Sequence, residues 1–152
     1  MGVFDSFSIN ASGLTAERLR MDVISENIAN ANTTRTSNGD PYTRKVVTFE
    51  TKNNPEPSFN SILASNQSKF AQSNMAGVKV GGIYNDTHSE YKMVYDPSHP
   101  DADENGYVLY PNVNTITEMT NLIDASRAYE ANATAFTTSK AIATQGLTIG
   151  KG

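Results

Sequence analysis

Apolar residues recur every seven positions near both ends of this chain, and that spacing is what most restricts its fold. In residues 5–33 the row is Phe7, Leu14, Met21 and Ile28. In residues 114–145 the row is Leu122, Tyr129, Phe136 and Ala143. Seven-residue spacing over several turns is typical of helices that pack along their length. The sequence therefore predicts two long helices, which form either the core of one small bundle or a two-helix coiled coil whose outer faces meet other subunits.

Residues at the ends of these rows suggest where the helices begin and end. Asn27, Asn30 and Asn32 close the first row, and Asn tolerates the left-handed backbone that ends a helix, so a stop near 31–34 is predicted. Asn114 or Thr115 can cap the second helix. Glu118 then lies in its first turn, where a carboxylate suits the helix dipole. Gly146 is the predicted stop.

The segment between the helices has the pattern of short strands. The runs are rich in Val, Ile and Tyr, are flanked by Gly, Asn, Asp and Pro, and cover 42–50, 77–84, 90–95 and 107–110. We expect three or four strands of one small antiparallel sheet.

The fold class is therefore α+β, with long N- and C-terminal helices paired as an antiparallel coiled coil and a small β region inserted between them. The predicted divisions are 1–34 and 114–152 for the helices, which pack as one axial domain, and 35–113 for the insert. Residues 51–76 form a long loop, in which Phe59, Ile62, Leu63 and Phe70 are compatible with one short helix.

Composition excludes several functions. The chain has no cysteine, so it has no disulfide scaffold, thiolate zinc site or cysteine nucleophile. Its net charge of −4 argues against nucleic acid as a partner, because phosphate binding needs a basic surface. No apolar run approaches the roughly 20 residues that span a bilayer, which argues against membrane insertion. Residues 1–10 lack a basic cluster and an apolar run, so no cleavable secretory signal is predicted.

Residues 101–106 are the sharpest local motif. They match the first six positions of an EF-hand loop, but the twelfth position, which should be a bidentate Glu, is Asn112. A tight acidic turn is the better interpretation, with calcium binding as the alternative. The two histidines, His88 and His99, have no metal-ligating partner at helical spacing. We therefore expect no enzyme activity, cofactor or metal site.

Two segments resemble the flagellar basal-body rod and hook protein family. Residues 12–33, which read SGLTAERLRMDVISENIANANT, resemble its N-terminal motif. GYV at 106–108, PNVN at 111–114, EM at 118–119 and ASRAYEAN at 125–132 resemble its C-terminal motif.

The resemblance is strongest to the proximal-rod members of that family. Most rod and hook proteins continue the first motif with Thr-Pro-Gly-Tyr, whereas this chain continues with TTRT at 33–36, GDPY at 39–42 and RK at 44–45. YDPSHPDAD at 95–103 also fits the proximal-rod pattern. The longer distal-rod and hook relatives carry an extra β domain that 152 residues cannot hold.

The resemblance implies a structural subunit of the bacterial flagellar basal body that assembles helically through its terminal helices and transmits motor torque. It implies export through the flagellar type III apparatus without a cleaved signal. The implied partners are copies of itself, other rod proteins, and the basal-body ring and export apparatus at the rod base. Another type III-exported filament protein, or a small calcium- or ligand-binding module built on residues 96–113, are the alternatives.

The predicted helix-pairing and assembly residues lie on the two helices and at their ends. They are Phe7, Leu14, Met21, Asn27, Ile28, Asn30, Asn32, Met119, Leu122, Arg127, Tyr129, Asn132 and Phe136. The apolar members are expected to hold the helices together, and the Asn side chains to make amide hydrogen bonds that fix register. Arg127 either binds a carboxylate of a neighbouring subunit or pairs within its own helix with Asp124 or Glu130.

Overall fold

The computed structural model describes residues 3–52 and 77–150. Two helices, α1 at Val3–Ala29 and α2 at Thr115–Ile149, enclose four strands in sequence. The strands are β1 at Lys45–Thr51, β2 at Val78–Asn85, β3 at Lys92–Tyr95 and β4 at Tyr107–Tyr110. The short helix predicted around Phe59 to Phe70 lies outside the described residues.

The two helices pack antiparallel along their length. The rings of Phe7 and Phe136 meet edge to face with centroids 5.1 Å apart. Further along, the Ser126 hydroxyl donates to the Met21 sulfur at 3.5 Å. The Asn27 amide then reaches the Glu118 carboxylate at 3.0 Å. The residues contacted on α2 fall in number as those on α1 rise, so the two helices run antiparallel. The predicted α+β fold with paired terminal helices is therefore confirmed.

The innermost line of contact between the helices is made of small and polar residues. On α2, Glu118 and Ala125 are fully buried, and Asn132 continues the same seven-residue row. On α1, Ala16 is buried, and a Cβ added at Gly13 would lie 3.1 Å from the Asn132 side chain. Small residues at these positions let the backbones approach closely. We call this line the inward seam.

The helix ends confirm one predicted cap and overturn two predicted stops. The Asn114 side chain accepts from the amides of Ile116 at 3.1 Å and Thr117 at 3.3 Å, as an N-cap residue should. Gly146 does not stop α2, which continues to Ile149 and is capped by Gly150. An interior glycine costs about 1 kcal/mol relative to alanine, which a long helix tolerates.

The first helix ends at Ala29, earlier than the predicted stop near 31–34. The Asn30 side-chain amide donates to the Glu26 carbonyl at 3.0 Å, and the Asn30 backbone amide donates to the same carbonyl at 3.1 Å. The chain then turns, and the Asn30 carbonyl accepts from the Thr33 amide at 3.0 Å. The bond from the Asn30 backbone amide is the last helical bond of α1, and the Asn30 side-chain bond and the turn to Thr33 close the helix before Asn32 is reached.

The strands form two separate antiparallel pairs, so the prediction of one small sheet is wrong. β1 pairs with β2 from Lys45 opposite Asn85 to Thr51 opposite Val78, with a bulge after Thr48. β3 pairs with β4 from Lys92 opposite Tyr110 to Tyr95 opposite Tyr107.

A turn after β2 keeps the two pairs apart. The Asp86 carboxylate accepts from the amides of His88 at 3.1 Å and Ser89 at 3.2 Å, which bends the chain away from a shared ladder. The Asn112 amide donates to the carbonyls of Asp86 and Ser89, at 2.8 and 3.1 Å, and holds the turn in place.

The acidic motif at 101–106 forms the turn between β3 and β4. The Asp103 carboxylate accepts from the amides of Asn105 at 2.9 Å and Tyr107 at 2.8 Å. Gly106 adopts φ of 79°, which favours glycine. Asp101 points the other way and accepts a hydrogen bond of 2.8 Å from the Thr34 hydroxyl. The Asp103 carboxylate is therefore hydrogen-bonded to backbone amides, and the Asp101 carboxylate to the segment after α1.

We expect Ala125→Leu to lower the free energy of unfolding by about 1–3 kcal/mol, because the longer side chain overpacks the inward seam. Ala125 is fully buried between the helices. Ala131→Leu is the matched control, since Ala131 is exposed on the same helix, and its effect should stay within about 0.5 kcal/mol. Urea unfolding of both purified variants measures this. Equal effects would show that Ala125 does not lie at a tight contact.

Candidate assembly interface

A buried carboxylate lies at the end of the inward seam where α2 begins. Glu118 is only 1% exposed. Its Oε1 accepts from Arg44 Nη2 at 2.8 Å and Nε at 3.0 Å, and its Oε2 accepts from Asn27 Nδ2 at 3.0 Å. A buried charge is costly unless it is paired and hydrogen-bonded. Both oxygens of this carboxylate meet that condition.

The Asn27 side chain connects α1 to the start of β1. Its Oδ1 accepts from the Tyr42 hydroxyl and from the Lys45 amide, both at 2.9 Å. Its Nδ2 donates to the Lys45 carbonyl at 2.9 Å and to Glu118. Two donors and two acceptor sites of one amide are thereby satisfied. Asn27 behaves as predicted for a buried amide, and its partners extend beyond the helices into the insert.

Arg44 connects this network to the rest of the insert. Its guanidinium lies 3.5 Å from Asp86, which follows β2, and its backbone amide donates to Asn112 Oδ1 at 2.8 Å. We call Asn27, Tyr42, Arg44, Asn112 and Glu118 the polar clasp, and these residues join α1, α2 and both sides of the insert.

Sequence reasoning identified part of the polar clasp. Asn27 was predicted to be a buried amide, and Glu118 was assigned only to the helix dipole. Tyr42 and Arg44 were named as part of the sequence pattern that resembles proximal-rod proteins, and no contact was predicted for either. Glu118 lies seven residues before Ala125, and this spacing was the available signal that the carboxylate shares the inward seam.

Burial within the clasp, together with the nearby carboxylates of Glu26 and Glu118, raises the pKa of Tyr42 to about 12. The phenol is therefore held neutral, as the donor to Asn27. A phenolate there would be repelled by two nearby carboxylates.

The opposite side of α2 carries a second row of apolar residues. Ile116, Met119 and Ile123 are 78%, 53% and 55% exposed, and Arg127 lies one turn further along. At 100° per residue this row lies on the side of α2 opposite the inward seam. We call these four residues the outward stripe.

Arg127 forms no ion pair with any other residue that the structure describes, in 3–52 or in 77–150. The structure therefore does not form the predicted alternative, a pair within the helix to Asp124 or Glu130. The guanidinium is exposed next to an apolar surface and is available to a carboxylate of another molecule.

The remaining predicted residues lie beside the inward seam, within it or after the end of α1. Those that are half-buried beside the inward seam are Phe7, Leu14, Met21, Ile28, Leu122, Tyr129 and Phe136. Asn132 donates to the Ala128 carbonyl at 3.0 Å and packs against Gly13. Asn32 is exposed after the end of α1. Their role in assembly stays a prediction.

Neither helix in the described ranges has a stretch long and apolar enough to cross a membrane. Within the same ranges no three acidic or histidine side chains are grouped so that they could hold a metal ion.

Comparisons with known proteins agree with this arrangement. Residues 7–35 match the family described as flagella basal body rod protein, and residues 104–149 match the family described as flagellar basal body rod FlgEFG protein C-terminal. These segments contain most of α1 and all of α2.

Curated relatives match over their full length. The flagellar basal-body rod protein FlgC of Bacillus subtilis is 45% identical, with 99% of this chain and 100% of that protein covered. The FlgC of Borreliella burgdorferi is also 45% identical, with both chains fully covered. The FlgC of Salmonella typhimurium is 34% identical, over 99% of this chain and 100% of its own length.

The fold and these matches define an axial, helix-paired subunit of the flagellar rod class. Within that class the chain belongs to the family of flagellar basal-body rod protein FlgC. The match covers the insert as well as the helices, which favours the rod interpretation over a calcium-binding module.

Replacing the buried carboxylate should be strongly destabilising. Glu118→Ala leaves Arg44 and the Asn27 amide without their shared acceptor, and we expect a loss of about 3–5 kcal/mol in the free energy of unfolding. Glu130→Ala, at an exposed position on the same helix, is the control and should change it by less than about 0.5 kcal/mol. Chemical denaturation of the two variants is the measurement. A loss below 1 kcal/mol for Glu118→Ala, roughly a fivefold change in the folding constant, would contradict the role of the clasp.

The raised pKa of Tyr42 predicts a specific loss of stability in alkali. An unfolded Tyr ionises near pH 10, whereas folded Tyr42 holds its proton to about pH 12. Its contribution is therefore fully present below pH 10 and is lost as the pH rises from 10 towards 12. Wild type should lose more stability over this interval than Tyr42→Phe, as measured by urea unfolding at each pH.

The matched control for this pH experiment is Tyr84→Phe, because Tyr84 is more than half exposed. Its pH curve should follow that of wild type. Parallel pH curves for wild type and Tyr42→Phe would show that Tyr42 does not carry the effect.

Proposed function

We propose that this chain is a structural subunit of the bacterial flagellar basal-body rod, of the proximal type. The full-length match to FlgC proteins named for that rod supports the assignment. The division into terminal helices at 1–34 and 114–152, which form one axial domain, and an insert at 35–113 is part of the proposal.

The observation that carries the proposal is the two-sided character of α2. Its inward seam is buried against α1, while the outward stripe leaves Ile116, Met119 and Ile123 largely in water. Burying apolar area contributes roughly 25 cal/mol per Å², so a neighbour that covers this row would gain stability. A helix with apolar residues on opposite sides suits a subunit that packs both internally and against other molecules.

The C-terminal part of α2 gives a second surface for the same purpose. Phe7 lies opposite Phe136, so in the antiparallel pair the residues of α2 beyond about 140 lie past Val3, the first described residue of α1. This part of α2 carries the exposed side chains of Ile142, Leu147 and Ile149. Nine helical residues span about 13 Å, enough to reach an adjacent subunit.

The partners in this proposal are copies of the chain and other rod proteins, with the basal-body ring and export apparatus at the rod base. Long helices that contact neighbours on several sides form a stiff connection, through which a rod can transmit torque. A chain without cysteine carries no disulfide, which suits export through the type III apparatus in an unfolded state. The function is structural, and the matched relatives are named as rod proteins.

Deleting the gene should abolish swimming, and a plasmid copy of the wild type should restore it. Ile123→Glu should fail to restore swimming, because a carboxylate on the outward stripe resists burial against a neighbour. The same variant should unfold within about 0.5 kcal/mol of wild type, since Ile123 is exposed in the isolated chain. Soft-agar motility and urea unfolding are the two measurements.

Thr117→Glu is the control for the motility experiment. Thr117 is exposed and lies about a third of a turn around the helix from the outward stripe, so this variant should restore swimming. A deletion strain that swims normally would reject the rod function. Full swimming with Ile123→Glu would reject the outward stripe as an assembly surface.

A further inference from the structure

One face of the β3–β4 pair is apolar and uncovered. Met93 lies directly opposite Leu109, and Tyr95 lies opposite Tyr107. Met93 and Tyr95 are 63% and 64% exposed, while Val108 on the other face is completely buried. The rings of Tyr95 and Tyr107 meet edge to face at 5.2 Å, which stiffens the surface. We call these four side chains the β3–β4 face.

A groove of about 390 Å³ runs beside this face and has an acidic wall. Its lining combines three residues of this face, Met93, Tyr107 and Leu109, with three carboxylates, Asp40, Asp101 and Asp103. Arg35 lies 3.6 Å from Asp101 and offsets one of these charges. Asp40 joins no ion pair with another described residue, so the groove retains a surplus of negative charge.

We propose that the β3–β4 face and its groove bind the outward stripe of α2 in a second copy of this chain. Met119 and Ile123 would cover the exposed Tyr and Met side chains. Arg127 follows Ile123 by one turn, about 6 Å, which places a cation next to the apolar contact. The lining of the groove offers the complementary combination of apolar side chains and carboxylates.

Charge complementarity selects this occupant. Arg127 has no ion-pair partner among the residues that the structure describes, and Asp40 has none either. An interface that buried the β3–β4 face under a purely apolar or acidic surface would leave the groove carboxylates uncompensated, at a cost. The outward stripe supplies both the apolar row and the guanidinium.

The contact is heterologous, because the two surfaces differ and lie on different parts of the chain. Each copy that binds through its β3–β4 face still presents a free outward stripe, so further copies can add in the same way. This inference rests on the proposed rod function and specifies one of the contacts through which copies meet.

Single-cysteine variants test the contact, because the wild-type chain has no cysteine. Met93→Cys and Ile123→Cys, with tags of different size, would be produced together in cells that lack the native gene. Basal bodies would be isolated, mildly oxidised and run without reductant. We expect at least roughly tenfold more mixed dimer than with Met93→Cys and Asp124→Cys, because a disulfide needs Cα atoms within about 7 Å.

A second pair, Tyr95→Cys with Met119→Cys, should give the same result and covers the case in which the first pair fails to assemble. Arg127→Glu added to either pair should reduce the mixed dimer at least about tenfold, as expected for the loss of a close ion pair at an interface. Lys140→Glu makes the same change of charge at an exposed position outside the stripe and should leave the yield unchanged.

The outcomes separate this inference from the function on which it rests. Basal bodies that contain both cysteine variants but give no mixed dimer above the Asp124→Cys control would overturn the contact, and so would an undiminished yield with Arg127→Glu. Basal bodies from which the tagged wild-type chain is absent would overturn the rod function itself.

Discussion

The pairing of Glu118 with Arg44 is the interaction on which the rest of the structure depends. The carboxylate lies at the start of α2 and is almost completely buried. A charge in that position is stable only when its partners are in place, and they come from α1 and from the segment that enters β1. The two ends of the chain therefore reach their register together with the insert. A fully apolar contact would give less specificity, since it tolerates sliding along the helix axis.

The division of α2 into two sides follows from this arrangement. Ala125 and Glu118 face α1, where small size and complete hydrogen bonding allow close approach. Ile116 and Ile123 face away from α1 and are largely exposed in the isolated chain. For a chain of the FlgC family this second side is useful, because a rod subunit has to bind neighbours without giving up its internal packing. In the proposed assembly, internal stability and contacts with neighbours therefore use different faces of one helix.

Seven-residue spacing was sufficient to predict both helices, and turn residues were sufficient to predict where the strands lie. Asn132 was among the predicted helix-pairing residues, but the inward seam as a row was missed, because its Glu118 is polar and sequence reasoning assigns most buried positions to apolar residues. The apolar row that was identified, from Leu122 to Phe136, lies at the edge of the seam. The separation of the strands into two pairs was also missed, since it depends on bonds from Asn112 that are distant in sequence. Polar residues that pair across the chain have no local signal.

If the Arg44–Glu118 pair couples the helices to the insert, a double-mutant cycle between these two residues should reveal the coupling. Arg44→Met, Glu118→Gln and the double variant would be compared by urea unfolding. We expect a coupling free energy of about 0.5–3 kcal/mol, as found for residues in direct contact within one network. Additive effects, with coupling below about 0.3 kcal/mol, would contradict it.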